Sequence, residues 1–267
     1  NIFKFATSEL SQDAFICWLL SWSNDKTEEY KSLRETSLYF IKSMQNQYNK
    51  DFNNDIHIDS ILNIDIRRQE GNIDILAIID TANSRYALVI EDKIFASQHG
   101  KQLDNYKKFI SDEYKDLPET NIIFIYLKTG DQSNLTPVKT SGYSPFMRKD
   151  LLNVLEFGIR NNITNDILTD FYMHLMDYET EFNKYAVAPV SEWIKSSASI
   201  IGFLSAIQKE LKDAKAEWGY VNNESGGFWG LWWHSHKLEN NDEIYLQIEV
   251  YNALTIKLCY KIYVDDK

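Results

Sequence analysis

We predict an α/β fold, with a mixed central sheet flanked by helices, for this chain of 267 residues. Two observations predict it. Apolar residues at helical spacing open the chain, and three strand-like runs, a helical segment and a fourth strand-like run follow in that order. A strand that follows a helix in this order is placed by a crossover connection, so we expect parallel and antiparallel pairs in one sheet.

The two N-terminal helices follow from the spacing of apolar residues. The first is predicted over Leu10 to Trp22, with Ser8 or Ser11 as its N-cap. The second is predicted from Thr27, as its cap, to Gln47. Its buried face is predicted to comprise Tyr30, Leu33, Ser37, Phe40, Ile41 and Met44.

The sheet is predicted from apolar runs bounded by turn residues. The polar turn Thr81 to Arg85 joins two of these runs as a hairpin. The predicted core elements after the two helices are, in order, a strand over Ile56 to Arg68, hairpin strands over Ile73 to Ile79 and Ala87 to Ile94, a helix from about Ser97 to Tyr114, and a buried strand over Asn121 to Lys128.

A second, smaller domain is predicted after the core. The polar segment Gly130 to Pro145 is expected to be a loop beside a binding cleft. Helices over Leu151 to Ile159 and Asp166 to Phe182 then close a first domain of residues 1–184. Residues 185–267 are predicted to form an α+β domain. Its elements are a helix over Val190 to Ala216, a Gly- and Trp-rich segment over Gly226 to Trp233, and strands over Glu243 to Tyr251 and Leu254 to Val264.

Charged residues interrupt the apolar runs of the predicted hairpin at Asp74 and at the triplet Glu91-Asp92-Lys93. Burying an unpaired ion costs roughly several kcal/mol, so such charges persist where they neutralise one another or hold a metal. Alternation along a strand places Glu91 and Lys93 on one face and Asp92 on the other. This segment is therefore the first candidate for chemistry.

Two registers are open for the hairpin. A turn centred between residues 82 and 83 sets Asp74 directly opposite Glu91, with Cβ atoms roughly 4.5 to 5.5 Å apart. A turn centred between residues 83 and 84 instead sets Asp74 opposite Lys93, with Glu91 diagonal to Asp74. In either register the two carboxylates repel unless a cation lies between them, and such oxygens suit Mg²⁺ or Mn²⁺.

Two further motifs surround this cluster. The next helix carries Gln102-Leu103-x-x-Tyr106, and the stretch Thr7-Ser8-Glu9-Leu10-Ser11-Gln12-Asp13-Ala14-Phe15 opens the first helix. Together with Asp74, a hairpin and Glu91-x-Lys93, this order resembles the PD-(D/E)xK nuclease superfamily, above all its bacterial RecB-like and restriction-endonuclease-like branches. The resemblance covers roughly residues 5–180. Ile73 stands where the family name has proline, a proline that is often absent in the superfamily.

The resemblance implies a restriction-endonuclease-like αβββαβ core. It also implies a metal-dependent nuclease that hydrolyses phosphodiester bonds of DNA in bacterial defence, restriction or repair. Lys93 is expected to position the attacking water or stabilise the transition state, and Gln102 to orient phosphate or water. The expected ligands of Mg²⁺ or Mn²⁺ are Asp74, Glu91, Asp92 through its backbone carbonyl, and Glu9.

Basic residues near the cluster are expected to contact DNA, although the net charge of the chain is −11. The negative balance lowers nonspecific affinity without excluding a local basic groove. A solvated helix face is the alternative interpretation for each lysine. The expected substrate contacts are Lys101, Lys107, Lys108, Arg67, Arg68 and Tyr106.

Composition limits the class of protein and the cellular compartment that we expect for this chain. A hydrophobic fraction of 44% with only 4 prolines and 10 glycines indicates a compact globular chain. No apolar run approaches the roughly 20 residues that cross a bilayer, and we expect no signal peptide before the first helix. Cys17 and Cys259 give neither a disulfide framework nor a zinc spacing, so we expect a cytoplasmic protein with reduced thiols. Since the sequence starts at Asn1, we expect a fragment or a chain lacking disordered ends.

Two rival functions stay open. In the first, the fold is an inactive binding module in which the two acidic residues form a structural ion pair with Lys93, Arg67 or Arg68. In the second, the Trp-rich C-terminal domain is the active part of an interaction or sensor protein.

The C-terminal domain is expected to set the choice of substrate or partner, through a homodimer contact or a contact with another protein. Its tryptophans have two interpretations. Trp229, Trp232 and Trp233 either stack bases or, as aromatics in such strands more often do, pack a small core.

Overall fold

The chain forms two compact units in its structure, a computed structural model that describes residues 1–97, 100–213, 215–224, 226–239, 241–251 and 254–264. The units are Asn1–Leu175 and Met176–Lys267. The proposed domain boundary after residue 184 lies a little further along the chain and stays a prediction. None of the helices in the described part of the chain combines the length and the apolar character needed to cross a membrane.

Two helices open the first unit. Helix α1 spans Glu9–Ser21, and the Ser8 hydroxyl caps it by accepting a hydrogen bond from the Ser11 amide, as one of the two predicted caps requires. Helix α2 spans Lys31–Phe52. The predicted cap at Thr27 is wrong, because Thr27 donates through its amide and hydroxyl to Asp25 before the helix begins.

Most of the predicted apolar face of α2 is buried. The exception is Tyr30, which precedes the helix and is 38% exposed, so its predicted core position is wrong. The buried members are Leu33, Ser37, Phe40, Ile41 and Met44.

A mixed sheet forms the centre of the first unit, as the sequence predicts, but it has five strands where four were predicted. The strands lie in the order of the sequence, and β1, β2 and β3 pair antiparallel, whereas β3, β4 and β5 pair parallel. The strands are β1 (Ile61–Glu70), β2 (Ile73–Thr81), β3 (Arg85–Lys93), β4 (Ile122–Lys128) and β5 (Ser144–Met147).

Strand β1 begins five residues later than the apolar alternation predicts. The backbone amides of Ile56 and Ile58 donate to the side chains of Asn49 and Gln45 on α2. These side chains satisfy the backbone groups that a sheet partner would otherwise satisfy. The apolar alternation over residues 56–60 therefore marks burial against a helix, not strand pairing.

The predicted loop over Gly130 to Pro145 is partly wrong. It contains the short helix α4 (Thr136–Thr140), and β5 starts within it at Ser144. This strand is four residues long and contains Pro145, a residue that sheets accept at their edges because it lacks an amide donor. Its edge position explains why such a weak strand signal still joins the sheet.

Helices cover both faces of this sheet. The crossover helix α3 spans Gln102–Glu113, and Leu103, Tyr106 and Ile110 pack into a core cluster with the sheet. Its predicted start near Ser97 runs into Gln98 and His99, which lie outside the described residues. Helices α1 and α2 contact the sheet as well, and α2 packs on α5 (Arg148–Arg160). Helix α6 spans Asp166–Asn183.

The C-terminal region has the predicted α+β character, with a second sheet of four antiparallel strands in sequence order. The predicted continuous helix over Val190 to Ala216 is wrong. It is divided because Ser196 is extended and its hydroxyl caps a new helix at the amide of Ser199. The elements are α7 (Val190–Trp193), α8 (Ser197–Leu211), β6 (Glu217–Val221), β7 (Phe228–Lys237), β8 (Glu243–Tyr251) and β9 (Thr255–Tyr263).

Candidate active site

The hairpin register brings the two predicted acidic residues together. Strands β2 and β3 pair Ile75 with Ile90 and Asp80 with Arg85, the register of a turn centred between residues 82 and 83. Continued by one residue, this register sets Asp74 opposite Glu91. The alternative centre between residues 83 and 84 is therefore wrong.

Three oxygen atoms lie close to the ammonium group of Lys93. Its Nζ is 2.5 Å from Glu91 Oε1, 3.4 Å from Asp74 Oδ2 and 3.1 Å from the Asp92 carbonyl oxygen. The contacts to Asp74 and to the Asp92 carbonyl have hydrogen-bond geometry, and the contact to Glu91 is an ion pair. The two carboxylates thus avoid mutual repulsion because one cation sits between them.

Glu91 is fully buried, and its environment opposes ionisation. Burial, followed by the charge of Asp74, raises the pKa of Glu91 to about 7, while the Lys93 ammonium acts in the opposite direction. Neither carboxylate oxygen of Glu91 has a hydrogen bond of normal geometry to the described residues, although Lys93 lies in ion-pair contact. Two buried oxygens without proper donors fit a site that takes a further cation.

Lys93 stays charged in this environment. Burial alone lowers the pKa of Lys93, but the neighbouring carboxylates of Glu91, Asp74 and Glu9 together outweigh it and raise the pKa above its usual value. Lys93 is therefore an ammonium donor and not a base near neutral pH.

Two backbone amides orient the carboxylates around Lys93. Asp74 accepts hydrogen bonds from the Asp92 amide at 2.9 Å and from Gln69 Nε2 at 3.1 Å. Glu9, in the first turn of α1, accepts from the Ile94 amide at 3.0 Å, and its other oxygen lies 4.0 Å from Lys93 Nζ. The structure thus brings the tentative Glu9 to the edge of the cluster.

The side chain of Asp92 points to the opposite face, as alternation predicts, and meets residues that the sequence analysis did not single out. Gln12 Nε2 donates to Asp92 Oδ1 at 2.6 Å, and Gln12 Oε1 accepts from Thr129 Oγ1 at 2.7 Å. Asp13 also faces Asp92, and burial raises the pKa of Asp13 to about 6 and that of Asp92 well above its usual value. Both Gln12 and Asp13 lie in the N-terminal stretch quoted above, which was the available signal.

The predicted site residues on α3 and just before it lie in two different environments. Gln102 Nε2 donates to the Tyr106 hydroxyl at 2.7 Å, and burial and the charge of Glu91 raise the pKa of Tyr106. Lys101 and Lys108 are exposed. Lys107 instead packs over aromatic rings, with Nζ 5.1 Å from the centre of the Phe124 ring, and burial lowers its pKa.

The two predicted arginines are paired within the chain and do not contact Asp74 or Glu91. Arg67 forms ion pairs with Asp65 at 2.7 Å and Glu70 at 3.1 Å. Arg68 donates to the Leu10 carbonyl at 3.0 Å and lies 3.8 Å from Asp13. Of the three cations considered as partners of the acidic pair, Lys93 is the one in contact.

A second buried lysine next to the cluster was also missed from sequence. Lys128 pairs with Lys93 across the parallel strands β3 and β4 and has no exposed surface. Its Nζ donates to the Ala96 carbonyl at 2.6 Å, and burial lowers the pKa of Lys128 to about 8. The lysine at the end of a buried strand was visible in the sequence, but its inward direction depends on the neighbouring strand.

The oxygens of this cluster suit a hard divalent cation. No group of three or more His, Cys, Asp or Glu side chains in the described ranges is arranged to hold a metal ion. The candidate set consists of two carboxylates and one backbone carbonyl, which are the donor types that Mg²⁺ and Mn²⁺ prefer. The Glu91 oxygens lack hydrogen bonds from the described residues and converge with the other oxygens on Lys93, which makes the set compatible with such an ion.

A mixed sheet that carries an opposed acidic pair and a lysine at one strand end defines the class of restriction-endonuclease-like nuclease folds. A family model described as the PD-(D/E)XK nuclease superfamily matches residues 1–221, and the chain belongs to this superfamily. No curated protein and no solved structure matches the chain significantly. The family match extends past residue 184 to the end of β6.

Proposed function

We propose that this protein is a metal-dependent nuclease that hydrolyses phosphodiester bonds of DNA in bacterial defence, restriction or repair. Membership of a nuclease superfamily supports the reaction class. The observation that carries the proposal is the position of Lys93 Nζ, within 3.4 Å of oxygens from Asp74, Glu91 and Asp92. Mg²⁺ is usually bound through one or two carboxylates, with water and phosphate in its other positions, and these converging oxygens offer such a set.

The proposed metal ligands are the carboxylates of Asp74 and Glu91 and the backbone carbonyl of Asp92, with Glu9 beside them. Mg²⁺ or Mn²⁺ at these oxygens supplies an acidified water and neutralises charge on the phosphate. For the oxygens to hold that ion, the Lys93 side chain has to move away from Glu91.

Lys93 is proposed to act as a cation throughout. Its ammonium donates hydrogen bonds to the attacking water or to a phosphate oxygen. The hydrogen bond between Gln102 and Tyr106 supports a positioning role for both, since it fixes their polar atoms on the α3 side of the sheet. Exposed Lys101 and Lys108 are the proposed phosphate contacts among the predicted lysines.

Cleavage of a substrate panel tests the proposal. Plasmid, linear duplex, single-stranded and branched DNA are incubated with the protein and Mg²⁺ or Mn²⁺, and the expected result is metal-dependent cleavage that Lys93→Ala and Glu91→Gln each remove. Matched controls are Lys31→Ala and Glu113→Gln, which change exposed residues of the same types and leave cleavage unchanged. Intact DNA in every reaction, with folded protein and either metal, would sink the proposal.

A second candidate function is supported by the same ion pair. In an inactive nuclease-fold module that binds nucleic acid or protein, Lys93 permanently neutralises Glu91 and Asp74. Metal binding separates the two candidates. A nuclease binds Mn²⁺ in calorimetry and loses this binding in Asp74→Ala, whereas the inactive module binds no Mn²⁺ at this site in either form.

A further inference from the structure

The open face of the C-terminal sheet carries a pocket that the proposed nuclease chemistry does not use. It has a volume of about 540 Å³, within the range of small-molecule sites. All of its lining residues lie between Lys215 and Tyr263, within the second unit. Helix α8 packs on the other face of the same sheet, where Trp218, Leu231 and Val250 join its core cluster.

A glycine pair gives this pocket a flat aromatic floor. Gly219 on β6 and Gly230 on β7 are directly paired. A Cβ on Gly219 would lie 3.2 Å from Trp232 Cη2, and one on Gly230 would lie 3.4 Å from Trp232 Cζ3. The absence of both side chains therefore lets the indole ring of Trp232 lie close over the backbone, with part of its surface exposed.

Trp229 and Trp232 thus differ in the two roles considered from sequence, whereas Trp233 packs against the core cluster and also lines the pocket. Trp229 points to the helix-covered face and packs against Trp218, with ring centres 6.3 Å apart. Trp232 lines the pocket together with Phe228, Tyr245 and Tyr263. Core packing accounts for the position of Trp229 but not for that of Trp232.

The polar part of the pocket floor is held in place by its own contacts. Glu249 is buried and accepts from Gln247 Nε2 at 2.9 Å and from the Tyr251 hydroxyl at 2.7 Å. Lys261 lies 2.5 Å from the same carboxylate. This satisfied network fixes the side chains of Gln247 and Lys261 where they line the pocket.

We propose that this pocket binds a nucleotide through its planar base, stacked on Trp232, with Lys215 at the rim contacting the phosphate. Stacking on an aromatic side chain is tolerant of base identity, and an exposed ammonium suits a phosphate. Lys215 is exposed and lines the pocket, and the half-buried Lys261 lines it too. The acidic lining residue Glu243 accepts a hydrogen bond from the Ser235 hydroxyl.

The base is either that of a free mononucleotide or that of an unpaired nucleotide in a single strand. Both present a planar base and a phosphate to the same residues. The site lies apart from the Asp74 and Glu91 cluster in sequence and unit, and its occupation requires no cleavage. If the pocket binds no nucleotide, the proposed nuclease activity is unaffected. If the protein cleaves no DNA, the proposed nucleotide pocket is unaffected.

Binding to the full chain in the presence of a metal chelator tests the site. Deoxyadenosine monophosphate, an eight-nucleotide single strand and ribose 5-phosphate are titrated by calorimetry, and the expected result is saturable binding of the first two and none of the third. Equal affinity for the first two identifies a mononucleotide site, and tighter binding of the strand identifies a single-strand site. Saturable binding of neither base-containing probe overturns the proposal.

Variants assign the binding to this pocket. Trp232→Leu is expected to weaken binding about 5- to 150-fold, the range for loss of one stacked base. The matched control is Tyr260→Leu, an aromatic that is 83% exposed on the opposite face and leaves affinity unchanged. If Trp232→Leu fails to fold, Lys215→Ala tests the proposal instead, because an exposed lysine can be replaced without loss of the fold. Lys215→Ala should weaken nucleotide binding and reduce the salt dependence of that binding. Folded Trp232→Leu or Lys215→Ala with wild-type affinity contradicts the proposal.

Discussion

Lys93 and Lys128 are paired on the parallel strands β3 and β4, and both side chains are buried. The two side chains differ in the contacts that offset the free-energy cost of burying an ammonium group. Lys93 contacts two carboxylates and its pKa rises, whereas Lys128 contacts the neutral Ala96 carbonyl and its pKa falls to about 8. One lysine is thus held as a cation among acidic groups, and its neighbour fixes the backbone that follows β3.

The first prediction concerns metal binding at Glu91. Glu91→Gln keeps the size of the side chain but removes one of the two proposed ligand charges. Binding to the native state raises stability by about 2.7 kcal/mol at a ligand concentration of 100 Kd. We expect Mn²⁺ to raise the unfolding temperature of the wild type in differential scanning calorimetry, and to leave that of Glu91→Gln unchanged.

The control for this measurement is Glu113→Gln, at the exposed end of α3. It should show the wild-type response to Mn²⁺. An equal shift in Glu91→Gln and in the wild type would place the metal elsewhere.

The second prediction concerns Gln12, which links α1 to β3 and to the residue that follows β4. Gln12→Ala removes the donor to Asp92 and the acceptor for Thr129, and leaves both partners buried. An unsatisfied buried polar group costs about 1–3 kcal/mol, so we expect the free energy of unfolding to fall by at least this amount. Urea denaturation measures it.

Gln47→Ala is the comparison for Gln12. Gln47 is half-buried on α2 and makes a 3.2 Å hydrogen bond to Asp51. Its loss should cost less than about 1 kcal/mol. Similar losses for the two variants would show that the Gln12 contacts add no stability beyond an ordinary hydrogen bond.

The third prediction concerns the contact between Gly130 and the residue after Lys93. A Cβ on Gly130 would lie 2.1 Å from the Ile94 carbonyl oxygen, and the Gly130 amide donates to that same oxygen at 3.0 Å. Because the clash is with backbone, Gly130→Ala must displace the chain beside Lys93. We expect a loss of more than about 2 kcal/mol in urea unfolding and reduced DNA cleavage at temperatures where the variant is folded.

The matched variant is Gly158→Ala on α5, where the nearest atoms belong to side chains at 2.9 Å. A smaller stability loss and unchanged cleavage are expected there. Equal effects of the two substitutions would contradict a specific role for the Gly130 contact.

The features that the sequence predicts, or narrows to two alternatives, are those that depend on neighbouring residues. The turn between residues 82 and 83 fixes the hairpin register, and this register in turn brings Asp74 to Glu91. Alternation fixes the opposite directions of Glu91 and Asp92. The cap of α1 at Ser8 depends on a residue three positions away.

The features missed depend on contacts between different secondary-structure elements. Gln12 reaches Asp92 across 80 residues and Thr129 across 117 residues, so the N-terminal stretch that contains Gln12 does not show which residues it contacts. The apolar alternation at Ile56 and Ile58 has the period of a strand, but α2 satisfies its backbone. Strand β5 has four residues and a proline, and only its place beside β4 makes it a strand.

The last prediction concerns the pH dependence of stability through Lys128. Its pKa falls from 10.5 to about 8 on folding because burial disfavours the ammonium, while Glu9, Asp131 and Asp92 favour the charge and Lys93 opposes it. Between these two values the unfolded state binds more protons, so this residue makes stability rise with pH from about 8 to about 10.5. The whole change corresponds to about 3 kcal/mol as an upper bound.

Lys128→Met removes this titration and the hydrogen bond to Ala96. We expect the free energy of unfolding in urea to increase for the wild type relative to Lys128→Met when the pH is raised from 7.5 to 10. The control is Lys31→Met, which changes an exposed lysine. The difference in unfolding free energy between Lys31→Met and the wild type should not vary with pH. A constant difference between the wild type and Lys128→Met over this range would mean that Lys128 keeps an ordinary pKa in the folded protein.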